Sequence, residues 1–76
     1  MQEKKFIENF VSIFDDVDIN SITMDTNFRE IDEWGSLVAL VLLTVVEEEY
    51  GISLNNKELT EAKTVRDLFI LVQSKQ

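Results

Sequence analysis

The chain has no cysteine, no histidine and no proline, and only two glycines. Without His or Cys, the common zinc ligand sets, a Ser–His pair and a thiolate nucleophile are all excluded. Chemistry on this protein must then come from a cofactor or a partner. The missing thiols also remove any indication of redox compartment. No Pro-rich or Gly-rich linker, internal repeat or low-complexity tract divides the 76 residues, which are expected to form one domain over 1–76. At that size a single core supplies only a few kcal/mol, which leaves little room for a large catalytic cleft. Positive charge is scarce as well: seven Lys and Arg stand against fifteen Asp and Glu, a net charge of −8. That balance opposes binding to nucleic acid or anionic lipid and makes a basic protein surface the natural complement. The apolar run from Leu37 to Val46 is far short of the about 20 residues that cross a bilayer. The start Met1-Gln2-Glu3-Lys4-Lys5 lacks the apolar run of a secretion signal. A cytoplasmic monomer without a membrane span is the expectation.

What is present is helical patterning. Phe6, Ile7, Phe10, Val11 and Phe14 recur at three-to-four spacing, which predicts an amphipathic helix over 2–14. Asp15-Asp16 breaks the pattern, and the next strong helix begins only near Ser36. A connection that long is functional or pinned by its own side chains, and Ile19, Ile22, Met24, Phe28 and Ile31 are the expected pins. The second helix runs from Leu37 to about Tyr50, with Gly51 suited to the left-handed residue after a helix end. Asn55 or Asn56 should cap a short third helix over 57–62. Thr64 and Asp67 form a capping box that opens a last helix to about Gln73, with Val65, Leu68, Phe69 and Val72 as its buried stripe. The architecture expected is all-α, a four-helix bundle with a long first loop and a short third helix.

Ser36 stands at the mouth of the second helix, where free backbone N–H groups and the positive end of the dipole favour an anion. A phosphodiester could be attached at such a serine, or the serine could simply cap the helix. At about 100° per residue, Val41, Thr44 and Glu48 share one side of this helix with Leu37 between them. Ala39, Leu43, Val46 and Tyr50 lie opposite as the expected core face, and Val38 and Val45 fall at the margin. Glu47-Glu48-Glu49 oppose the helix dipole at about 0.3–1 kcal/mol each, with no Lys or Arg four residues on. They form either a solvated rim or a recognition surface. Asp25, Glu30, Asp32 and Glu33 make the approach to Ser36 acidic too.

Phe28, Ile31 and Trp34, then Ser36-Leu37, Glu47-Glu48-Glu49-Tyr50-Gly51-Ile52 and Thr64-Val65-Arg66-Asp67-Leu68 form an ordered set over about two thirds of the chain. This set resembles the acyl carrier protein family of phosphopantetheine-binding carrier domains, whose signature is Asp-Ser-Leu at the start of the second helix. The resemblance implies a bundle of acyl carrier protein type, with Ser36 holding 4'-phosphopantetheine covalently, derived from coenzyme A. It implies a carrier of acyl thioesters for fatty acid, polyketide or related biosynthesis, without catalytic residues or a resident metal. Its partners would be a phosphopantetheinyl transferase and acyl-transferring or condensing enzymes with basic or mixed apolar docking patches. Leu37, Val38, Val41, Val45 and Glu48 would meet them. An aminoacyl or peptidyl carrier, and an unmodified interaction module of the same fold, are the alternatives. Gly35 departs from the signature. In the family the aspartate at that position helps the transferase hold its metal ion and phosphate donor, and Asp32 and Glu33 are the carboxylates close enough in sequence to stand in.

Overall fold

Three phenylalanines spaced four apart begin the fold. In the computed structural model, which describes residues 3–76, helix α1 spans Glu3–Val11 and buries Phe6 and Phe10. It stops three residues short of the expected end, and Gln2 lies outside the described residues. The Ser12 hydroxyl donates to the Asn9 carbonyl oxygen at 2.6 Å, a local bond that competes with helix continuation. Two tighter turn bonds follow, from Ile13 N–H to the Phe10 carbonyl and from Phe14 N–H to the Val11 carbonyl. These turns still deliver Phe14 to the core, where its ring meets Phe10 edge-on at 5.3 Å.

The stretch from 12 to 35 is irregular but closely held. It contains two short 3-10 turns, Ile19–Ser21 and Phe28–Glu30, whose opening N–H groups are accepted by the side chains of Asp18 and Asn27. Ile22, Met24 and Phe28 are buried as pins, and Ile31 packs half-buried against the core. Ile19 does not: it is 40% exposed on the outside of the first 3-10 turn, and Val17 packs against the core instead. The loop also completes other elements. The Thr26 and Met24 carbonyls accept from Val65 N–H and Arg66 N–H at 3.0 and 2.8 Å, satisfying donors at the start of the last helix. Arg29 reaches the other way. Its Nε donates to the Ala62 carbonyl at 3.0 Å, and its Nη2 to the Leu59 and Thr60 carbonyls at 2.8 and 2.6 Å.

Helix α2 spans Ser36–Tyr50 and ends on Gly51, whose φ of 67° is the left-handed conformation that a glycine adopts without steric cost. Helix α3, Asn56–Glu61, opens with a capping box between Asn55 and Glu58. Lys75, donating to Glu58 at 2.7 Å, together with the Asn55 N–H, holds that carboxyl below its usual range. Helix α4, Val65–Lys75, opens with the Thr64 and Asp67 box and runs two residues past the expected end. Backbone N–H groups of Lys63 and Thr64 donate to Asp67 and lower its pKa as well. Val65, Leu68, Phe69 and Val72 are all buried on α4, as their spacing predicts. The four helices and the loop share one apolar cluster with Phe28, fully buried, at its centre. The bundle is nearly all helical. No helix among the described residues is long and apolar enough to cross a membrane.

Candidate functional site

The site is built by the last turn of the loop. Phe28 is locked edge-on between Phe10 at 6.0 Å and Trp34 at 4.7 Å, and the Trp34 N–H donates to the Ile31 carbonyl at 2.9 Å. The chain is therefore fixed in direction two residues before Ser36. Gly35, with extended backbone angles, occupies the N-cap position, and its carbonyl accepts from the Ala39 N–H at 2.9 Å. Ser36 is the first residue of α2 proper and is exposed. Its hydroxyl makes no hydrogen bond among the described residues, so the serine is not the helix cap. Gly35 holds the N-cap position without a side chain to bond the free N–H groups of the first turn, and the Ser36 hydroxyl does not bond them either among the described residues.

Of the two carboxylates expected near Ser36, Glu33 is committed elsewhere: its two oxygens accept from the Asp15 and Asp16 N–H groups, both at 3.0 Å. Asp32 is exposed. A Cβ added to Gly35 would meet nothing within 4 Å, and its φ of −173° suits any residue. Neither packing nor backbone geometry demands glycine there.

Beside Ser36 lies a groove of about 580 Å³ between the start of α2 and α3, bounded by Arg29, Trp34, Leu40, Asn56, Leu59 and Thr60 among others. A second groove of about 550 Å³ runs under the first loop and is rimmed by Asp16, Asp18, Glu30, Asp32 and Glu33. No group of three or more acidic side chains among the described residues is placed to hold a metal ion.

The core face of α2 is turned from the one the sequence suggests. Leu42 and Val46 are buried at its centre, and Ala39, Leu43 and Tyr50 are half-buried to one side. Val38 and Val45 are half-buried on the other, a rotation of about 50°. Val38 packs against the core, and Val45 borders a crevice against α1 with Phe6 and Phe10. Val41 is outward at 40% exposure, together with Leu37 at 76% and Leu40 at 60%. The exposed aliphatic strip contiguous with Ser36 is thus Leu37, Leu40 and Val41. Thr44, Glu47 and Glu48 continue it along the same exposed side, and Glu49 is exposed too. Leu40 and Arg29 are the residues of this site that sequence reasoning missed. A uniformly apolar run gives no contrast to single out Leu40, and the only trace of Arg29 was a lone cation in an acidic loop.

The chain matches the family described as "Phosphopantetheine attachment site" over residues 6–72. It is similar to "Polyketide-8 synthase acyl carrier protein 2" of Streptomyces avermitilis, at 32% identity over 96% of this chain and 84% of that protein. It is also similar to the "Acyl carrier protein" of Treponema denticola, at 29% identity over 95% of this chain and 92% of that one. The "Acyl carrier protein" of Treponema pallidum is 37% identical over 79% of this chain and 77% of its own length. With the helical bundle, the spare serine at the start of α2 and these likenesses in hand, the chain belongs to the acyl carrier protein family, whose members are carriers and not catalysts and whose cofactor is phosphopantetheine.

Proposed function

We propose that Ser36 carries a 4'-phosphopantetheine arm and that the protein presents acyl thioesters on it to the enzymes of fatty acid, polyketide or related biosynthesis. One observation carries this reading: Ser36 is the first residue of α2, exposed and unbonded among the described residues, while Gly35 holds the N-cap position. Loading would form a bond from Ser36 Oγ to the pantetheine-bearing phosphorus of coenzyme A and break the bond from that phosphorus to adenosine bisphosphate, with the serine proton leaving. The arm supplies a terminal thiol for the thioester. This chain's residues supply an anchor of fixed direction, free N–H groups at the start of α2 that favour the phosphate, and a surface for partners. The names of the similar proteins favour acyl over aminoacyl cargo. Incubation with coenzyme A and a broad-specificity transferase, read by intact mass, should show one added group. No addition with several transferases would favour the unmodified interaction module.

Gly35→Asp bears on the loading step. The position is open and precedes the helix, where an acid is stabilising by about 0.3–1 kcal/mol, so the fold should be kept. If the family's carboxylate assists the transferase, the variant is loaded faster than wild type by the same enzyme in a timed mass assay. Equal or slower loading would mean that this carrier's transferase does not use a carboxylate there.

Partners are proposed to dock on Leu37, Leu40 and Val41, with Glu48 at the edge, through patches that are partly apolar and partly basic. Val41→Glu separates docking from folding. An exposed site should change stability by no more than about 0.5 kcal/mol, while turnover with a cognate acyl-transferring enzyme falls. A loss of several kcal/mol in a urea melt would instead place Val41 in the core.

A further inference from the structure

The groove beside Ser36 differs from the rest of this surface in its charge. Fifteen carboxylates are spread over the chain, and five of them border the neighbouring groove. None borders this one; its single charged residue is Arg29. The chain has two arginines. Arg66 is ion-paired with Asp25 at 3.4 Å and Glu3 at 3.7 Å. Arg29 has no carboxylate within 4.0 Å among the described residues. Its Nε and Nη2 bind three carbonyl oxygens of α3 and its end, which accounts for three of the five guanidinium N–H donors and leaves the pair on Nη1. Those carbonyls are dipoles and do not cancel the charge. The guanidinium also lies over the Phe28 ring at 5.5 Å, so its position is set in advance and another hydrogen bond costs little ordering. A cation held in place without a carboxylate partner among the described residues, with two donors left over, on an acid-free groove that Ser36 also borders is suited to an anion.

We infer that Arg29 is a positioning residue for the phosphodiester on Ser36, pairing with its oxygens and laying the base of the arm over the groove towards α3. This rests on the reading of Ser36 as the attachment point. The arm then leaves the protein on a defined side, where a free phosphodiester on a chain of net charge −8 would be driven outward. Lysine could keep the charge but not the three carbonyl bonds as well.

The two arginines supply an internal control. In 15N-labelled protein, loading confirmed by intact mass should shift the Nε–H resonance of Arg29 and leave that of Arg66 in place. The 31P line of the loaded arm should be broader in wild type than in Arg29→Gln, and Arg29→Lys should recover part of the breadth. A purely structural Arg29 would lower the melting temperature of the variant before and after loading alike and leave both NMR signatures unchanged, which overturns the inference. The wild-type Nε–H measurement stands even if Arg29→Gln fails to fold. Absence of any added mass on wild type overturns the Ser36 reading itself, and the inference with it, before a spectrum is recorded.

Discussion

Ser36→Ala should melt within about 0.5 kcal/mol of wild type and accept no phosphopantetheine at all. The two halves of this result come from the same geometry. The hydroxyl is exposed and bonded to nothing among the described residues, so its removal strands no donor or acceptor. Alanine has the highest intrinsic helix propensity and introduces no strain at this exposed position. Were the serine the helix cap, the same change would cost about 1 kcal/mol. Urea melts and intact mass after incubation with coenzyme A and a transferase measure both quantities on one preparation. A stability loss above about 1 kcal/mol would reinstate the cap, and residual mass addition would move the attachment to another hydroxyl.

Helix ends were readable from sequence where their chemistry is local. Thr64 with Asp67 closes its box within four residues, Asn55 is the one of the two candidate caps that pairs with Glu58, and Gly51 adopts the positive φ that its place after a helix requires. Their partners are neighbours along the chain, so no tertiary information is needed. The facing of α2 was not readable in the same way. From Leu37 to Val46 only Thr44 is polar, so a helical wheel has almost no contrast and neighbouring elements decide which side is buried. Phe6 and Phe10 draw Leu42, Val45 and Val46 towards α1, and this turns Leu40 outward beside Ser36. Glu33 and Arg29 mark a different limit. Glu33 meets donors 17 and 18 residues away, and Arg29 meets acceptors 30 to 33 away. Both partners exist only once the chain has folded, so residue type and spacing could place each side chain in an acidic loop but not give it a task. The length of that loop was the better clue: it predicted pinning, and Ile22, Met24 and Phe28 are buried while Ile19 is not.

Phe28→Ala should cost about 3–5 kcal/mol, the range for emptying a fully buried aromatic site. A core of this size supplies roughly that much stability in total, so the variant should be largely unfolded at 25 °C. The position is severe because one ring serves three contacts. Phe10 ties it to α1, Trp34 rests against it at 4.7 Å and sets the direction in which the chain enters α2, and the Arg29 guanidinium lies over it on the way to α3. Removing the ring should therefore disturb the approach to Ser36 as well as the bundle, and the folded fraction that remains should be loaded more slowly than wild type. Phe28→Leu keeps most of the volume and should recover much of the stability but not the edge-on contacts. Ile19→Ala, in the same loop but 40% exposed, gives the comparison and should cost well under half as much. Far-UV circular dichroism across a urea series orders the three variants. A loss below about 1 kcal/mol in Phe28→Ala would show that the long first loop rests on the bundle without holding it together, and the direction of the chain at Ser36 would then have to be set by Trp34 and the Glu33 hydrogen bonds alone.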